Sequence, residues 1–259
     1  MYLSPDKSTV FFNDILDICD NIDFIPYKKK YTVANCPCVF DIEASSFYDD
    51  NNEKRCTMYA FVFGINGRCV RGRTWKDFFE ILNFIKNYYC LTNEKRFIVY
   101  VHNLSYEFQW IKDYFQWENV FCNDERKPIY ASTKDGIEFR CSYLLSGYSL
   151  EKLGENLLKY KVQKKVGDLD YQIIRHSETP LSDKEWGYIL NDGLVVMAHI
   201  QEEIERLGYI TNIPLTKTGY VRNLCREKCF NGRNKFDFTE TIKHLVIDKD
   251  DYLQLKSAY

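Results

Sequence analysis

From Asp183 to Leu207 the chain reads DKEWGYILNDGLVVMAHIQEEIERL. Apolar residues recur at Trp186, Ile189, Leu190, Leu194 and Met197, the three-and-four spacing of an amphipathic helix. Ser182, followed three residues later by Glu185, is a capping box and marks where that helix starts. CVFDIE at 38–43 is apolar and rich in strand formers, and it ends in acid. Residues 57–74 read as a hairpin turning at Asn66-Gly67. Helical spacing returns over 75–90, FIVYV at 97–101 predicts a short buried strand, and a helix is expected over 105–115. A second hairpin is predicted over 128–143 around Lys134-Asp135-Gly136, then a helix over 149–157. Before all of these, a short helix over 9–20 leads into an irregular stretch through Lys28-Lys29-Lys30. Strands come first with helices interspersed, without strict strand–helix alternation. That order predicts an α/β fold with a mixed central sheet flanked by helices.

The pattern divides the chain at Leu207-Gly208. A first domain is expected over 1–207. Over 208–259, Pro214 and Gly219 break the periodicity and too few residues remain for an independent core. That tail reads as a linker, so the chain is expected to be the front part of a longer polypeptide.

Composition narrows the classes. The chain has 259 residues, 45% of them hydrophobic, so a sizeable core is available. Net charge is −2, which argues against a strongly basic nucleic-acid tail but leaves room for a local binding groove. No apolar run reaches membrane-spanning length, and the opening MYLSPDK is polar. The ten cysteines therefore read as reduced thiols in a cytoplasmic protein. Cys36/Cys38 and Cys225/Cys229 lack a second pair at zinc-site spacing, although a zinc-binding module stands as a weaker alternative.

The acids carry the candidate chemistry. Asp41 and Glu43 are two apart on a strand and share one face. Two carboxylates buried together need a positive charge between them, commonly a divalent ion; the plainer reading is a solvated strand end. Glu107 follows the strand at 97–101 and opens a helix, with Asn103 just before it. A first-turn acid and a simple N-cap would explain both. Tyr188 and Asp192 are one turn apart on the long helix, so phenol and carboxylate lie on one face. A solvated Asp is the alternative, but the apolar residues around it leave little free face. Together the acids form an ordered series: Asp41-x-Glu43, Asn103 with Glu107, and Tyr188-x-x-x-Asp192. Four carboxylates from three separate elements could hold two divalent ions, Mg²⁺ or Mn²⁺, for in-line attack on a phosphodiester. Tyr188 would orient the attacking water.

This series resembles the exonuclease motifs of the DEDD superfamily of 3′–5′ exonucleases, on a ribonuclease H-like fold. VFDIEAS, YVHNLSYEFQW, YSLEKLGENL, KKVGDLDYQ and EWGYILNDG follow the order seen in protein-primed family B DNA polymerases of phages and linear plasmids. The resemblance covers residues 36–205. It implies that Asp41, Glu43, Glu107 and Asp192 are metal ligands and that Tyr188 is catalytic. It further implies that Asn103, Tyr106, Trp110, Ser149, Leu150 and Tyr171 contact the single-stranded 3′ end. Aromatic stacking on unpaired bases would give Tyr106 and Trp110 that role; core packing and, for Ser149, N-capping are the alternatives. It also implies that 208–259 is a linker and the start of a polymerase domain not in this chain, with the closing KSAY resembling the lead-in to the YxGG-type motif between the two domains. It implies DNA and a priming protein as partners, a monomer, and proofreading during DNA replication.

This chain departs from the family pattern at three places. Glu107 stands where the family has Asp, Ala44 stands where relatives carry a hydroxyl that Ser45 could replace, and Val166 stands where relatives carry Lys. Lys165 is then the candidate cation, with Lys164 beside it. In the tail, Lys217, Arg222 and Arg226 are candidate template-phosphate contacts or a solvated basic face. Rival readings are a stand-alone DEDD nuclease on DNA or RNA, and a catalytically weak module that guides single-stranded DNA or docks a priming protein.

Overall fold

A computed structural model describes residues 22–165 and 169–230. The helix expected over 9–20, Val166 and the closing KSAY lie outside the described residues. Nine strands build one sheet: β1 (Phe24–Tyr27), β2 (Tyr31–Ala34), β3 (Cys38–Tyr48), β4 (Lys54–Ile65), β5 (Arg68–Gly72), β6 (Lys95–Val101), β7 (Trp117–Asp124), β8 (Lys127–Thr133) and β9 (Ile137–Cys141). The helices are α1 (Trp75–Tyr88), α2 (Leu104–Ile111), α3 (Ser142–Ser146), α4 (Leu150–Glu155), α5 (Asp183–Leu207) and α6 (Lys217–Phe230). The sheet order is β5-β4-β3-β6-β9-β8-β7, and the β1–β2 hairpin joins it where β2 runs parallel to β6. The β3–β6 and β6–β9 pairs are parallel, while β3–β4, β4–β5, β8–β9 and β7–β8 are antiparallel. The sheet is therefore mixed.

The strand period of two sorts side chains onto two faces. Phe40, Phe61, Phe63, Phe97, Val99 and Phe139 share one core cluster with Phe78, Ile81, Leu82 and Ile85 of α1. Each such buried side chain contributes about 1.5–3 kcal/mol. The opposite face takes α5. There a Cβ on Gly193 would stand 3.1 Å from Val62 Cγ1, so the glycine lets the helix lie close on β4 immediately beside Asp192. The capping box forms: Glu185 N–H donates to Ser182 Oγ at 3.3 Å, and Ser182 N–H donates to Glu185 Oε2 at 2.8 Å. The β4–β5 turn places both Asn66 (φ 49°) and Gly67 (φ 87°) in the left-handed region, as a two-residue hairpin requires.

Several elements differ from the sequence expectation. β3 continues past Glu43 to Tyr48 because it stays paired with β4 across a register shift. The stretch through Lys28-Lys29-Lys30 is the turn of the β1–β2 hairpin. α6 forms despite Gly219. The compact unit containing the sheet ends at Thr216 and a second begins at Lys217. Ile210 and Ile213 are buried, and Ile210 N–H donates to Asn35 Oδ1 at 3.0 Å. Among the described residues, no helix is long and apolar enough to cross a membrane.

Candidate metal centre

Val39, Asp41 and Glu43 occupy the β3 face opposite Phe40 and Ile42, and so point toward α5. In the parallel β3–β6 pair Val39 is opposite Tyr100. β6 ends at Val101, so both acids lie where its chain leaves the sheet and turns into α2. Strand ends of this kind are where open α/β sheets bind ligands. Gly193 lets α5 come near enough to bring Asp192 to the same place. Carboxylate oxygens of Asp41, Glu43 and Asp192 all lie within 4.8 Å of one another. Glu107 enters from the first turn of α2, only 3% exposed, with Oε2 buried and unpartnered. Asp192 Oδ1 is likewise buried without a partner.

Clustering of this kind changes the acidity of every member. Burial, then the Asp192 charge, pushes Asp41 up to about 7, against the opposing pull of Lys164. Burial, then Asp41 and Asp192, pushes Glu43 up to about 8. Burial, with Asp41 and Glu43 nearby, raises Glu107 well above the usual carboxylate range. Burial also raises Asp192, with Lys164 working against the rise. Like charges held together with unpartnered oxygens are what a divalent cation would satisfy. The donor set, oxygens only, suits a hard ion such as Mg²⁺ or Mn²⁺. The residues present fit such an ion.

The cation already at this cluster is Lys164. Its Nζ donates to Asp192 Oδ2 at 3.0 Å and stands 5.4 Å from the Tyr188 ring centroid. Burial lowers the ammonium's pKa, but Asp192 and Tyr188 outweigh it and the net shift is upward. Lys165, preferred from sequence, is exposed; its backbone N–H donates to Asn191 Oδ1 at 2.8 Å. In this extended segment neighbouring side chains point apart, and the one turned inward is Lys164. Its placement depends on α4, where a Cβ on Gly154 would meet Lys164 N at 3.1 Å.

The loop between α4 and α5 is pinned at both ends. The N–H groups of Leu158, Lys159 and Tyr160 donate to the Glu202 carboxylate at 3.0, 2.7 and 2.9 Å. At the other end, buried Arg175 bonds Glu185 Oε1 through Nη2 at 2.7 Å and Nε at 3.1 Å, and donates to Asp170 O at 2.6 Å. Arg175 N–H donates to Ser45 Oγ at 2.9 Å, which occupies the hydroxyl considered for the 3′ end. Between these anchors Tyr171, 63% exposed, sets its hydroxyl 3.2 Å from that of buried Tyr188.

The remaining sequence candidates divide by position. Asn103 adopts a left-handed conformation (φ 72°, ψ 58°) at the N-cap of α2, and its exposed side chain makes no capping bond. Strain of that kind collects at functional sites. Tyr106 and Trp110 follow on α2 with ring centroids 6.2 Å apart. Ser149 caps α4, accepting from Lys152 N–H at 3.3 Å, and Leu150 opens that helix. Two neighbours of the acids escaped the sequence reading, Arg175, whose charge acts on Glu43, and Tyr59. Tyr59 is the extra residue of a β-bulge where Glu43 pairs with Ala60 but Ala44 pairs with Met58. Its hydroxyl is buried and unpartnered, and burial followed by the Glu43 charge raises its pKa. Bulges next to active sites re-aim side chains in this way, but a lone Tyr in TMYAF carries no sequence signal of it.

The chain is thus an α/β protein with a mixed central sheet flanked by helices and acids gathered where β3 meets α5, and this architecture has counterparts among solved structures. Solved structures that share it include Phi29 DNA polymerase complexed with primer-template DNA in the post-translocation binary complex. That match has 13% identity and a TM-score of 0.58, covering 81% of this chain and 39% of that one. The ternary complex of Phi29 DNA polymerase with primer-template DNA and incoming nucleotide matches at 15% identity and TM-score 0.53, over 68% and 32% of the two chains. The chain therefore spans about a third of the length of these structures. At such identities the likeness establishes the fold. No family model and no curated protein sequence matches the chain.

Proposed function

We propose that this chain is the 3′–5′ exonuclease portion of a protein-primed family B DNA polymerase. It removes nucleotides from single-stranded primer 3′ ends, and a priming protein is the partner of the whole enzyme. The observation that carries the reading is the acidic cluster, with Asp41, Glu43 and Asp192 oxygens within 4.8 Å of one another. Two such ions, when bound, would lower the pKa of the attacking water and neutralise charge on the leaving 3′ oxygen.

The chain's own groups supply the rest. Asp41, Glu43 and Asp192 would hold the ions, with Glu107 completing the set from α2. Tyr188, one turn before Asp192 on α5, would orient the water, while Tyr171 fixes that phenol by the hydrogen bond between them. Lys164 offers the cation that meets charge developing on the phosphate in the transition state. Asn103, Tyr106 and Trp110 line the approach of the 3′ end, where stacking on the aromatic rings would hold unpaired bases. Ser149 and Leu150 add contacts from the start of α4.

A 5′-labelled single-stranded DNA oligonucleotide tests this directly. In Mg²⁺ or Mn²⁺ it should shorten from the 3′ end, and EDTA or an Asp41→Ala/Glu43→Ala double substitution should stop it. Folded protein that binds the oligonucleotide without shortening it would overturn the enzymatic reading.

A further inference from the structure

Tyr106 and Trp110 do not stand alone. Tyr114 lies four residues beyond Trp110, so 106, 110 and 114 follow one helical face. α2 ends at Ile111, but Tyr114 N–H donates to Ile111 O at 3.0 Å and keeps the turn. Trp75, the first residue of α1, fills the gap between them. Ring centroids are 6.2 Å apart for Tyr106–Trp110, 6.4 Å for Trp110–Trp75 and 5.7 Å for Trp75–Tyr114. The last two pairs are inclined by only 31° and 28°. The four rings thus make a continuous ladder that begins one residue from Glu107 and leads away from the acids.

The inner rings of the ladder pack on the core, Trp75 5.8 Å from Phe78, but the ladder is not covered on its outer side. Phe78, Phe79 and Phe115 lie beneath it and contact one another ring to ring. Tyr106 remains 46% exposed and Tyr114 56% exposed, while Trp75 and Trp110 are half-buried. An exposed aromatic patch joined to a site indicates a ligand with flat apolar faces. Charge beside it is mixed. Lys112 and Asp113 are both exposed, and Lys76 lies 3.9 Å from Glu80. Base stacking, not phosphate charge, would then dominate binding along the ladder.

We propose that Trp75 and Tyr114 extend the Tyr106–Trp110 pair into a second stacking segment for single-stranded DNA. It engages nucleotides upstream of those at the metal centre and makes the site prefer longer unpaired 3′ ends. This rests on the exonuclease reading, and it extends the contacts from the 3′ end to the strand behind it.

The test uses the full chain and fluorescein-labelled oligothymidylates of three and eight nucleotides. Fluorescence anisotropy in EDTA measures binding without degradation. Tyr114→Ala should weaken the eight-mer roughly tenfold and leave the three-mer within about twofold. Trp75→Leu, which keeps apolar contact with Phe78, should show the same length dependence. Tyr106→Ala should weaken both oligonucleotides. An unchanged eight-mer affinity in Tyr114→Ala, or equal weakening of both lengths, would overturn the proposal. Wild-type protein that binds neither length would instead overturn the DNA-binding reading beneath it.

Discussion

Lys164 reaches across the loop before α5 to set its ammonium 3.0 Å from Asp192 Oδ2. Without an added ion, that ammonium offsets part of the charge of Asp41, Glu43 and Asp192. The neighbouring Lys165 side chain is exposed. Lys164→Ala is therefore expected to lower kcat roughly 10²–10³-fold, as removal of one preorganised stabilising group does, and to lower the melting temperature in EDTA, where Asp192 loses its partner. Lys165→Ala should stay within about threefold. Paired turnover assays on the oligonucleotide decide it, and the reverse ranking would return the role to Lys165.

The crowded acids should make stability depend on pH in an unusual direction. Folded Asp41 and Glu43 hold protons up to about 7 and 8, whereas in the unfolded chain they release them near pH 4. Between those limits the native state binds more protons, so stability falls as pH rises. It is fully present below about pH 4 and lost through pH 7–8. In EDTA the melting temperature should drop by roughly 5 °C or more between pH 5.5 and 8.5. Mn²⁺ should flatten the drop. Glu43→Gln, which removes one charge without changing shape, should flatten it too while abolishing activity. An unaltered slope in Glu43→Gln would contradict the electrostatic account of the cluster.

Arg175 is buried and bonded to Glu185, Asp170 and Ser45 at once. Removing one partner of a buried ion pair leaves the other charge uncompensated, at a cost of about 3–5 kcal/mol. Arg175→Ala should lower the melting temperature by that measure and open residues 170–181 to proteolysis. A loop as resistant as wild type would show that Arg175 does not anchor it.

Tyr59 sits in its bulge with a buried hydroxyl that has no partner. Removing an unsatisfied buried donor should not destabilise the protein. Tyr59→Phe is expected to melt no lower than wild type in EDTA. If the hydroxyl supports Glu43 once an ion binds, the gain in melting temperature from Mn²⁺ should shrink. A loss of several degrees in EDTA would mean that the hydroxyl has a structural partner after all.

Elements with strong local signals were legible in the sequence. The capping box Ser182-Glu185 and the periodicity behind it set both ends of α5, and Asn66-Gly67 marked the β4–β5 turn. Alternation alone put Asp41 and Glu43 on one face. Elements without a local signal were not legible. β7 is an exposed edge strand with three register irregularities, so it lacks both burial and clean alternation. The β1–β2 hairpin turns at Lys28 (φ 56°), where no Asn-Gly pair announces it. Lys164 and Lys165 cannot be told apart by composition, because which one turns inward depends on how close α4 comes to the loop. Arg175 pairs with Glu185 ten residues on, but nothing in that spacing announces a loop anchored to Ser45 of β3, and Tyr59 meets Glu43 only through the β3–β4 pairing.

The most direct measurement is anomalous diffraction at the manganese edge from crystals of the protein soaked in Mn²⁺. The account expects a peak at roughly 2.1 Å from carboxylate oxygens of Asp41, Glu43 and Asp192, with the Lys164 ammonium moved off Asp192. Manganese bound elsewhere, or absent from a cluster that keeps Lys164 on Asp192, would contradict the metal centre on which the proposed chemistry depends.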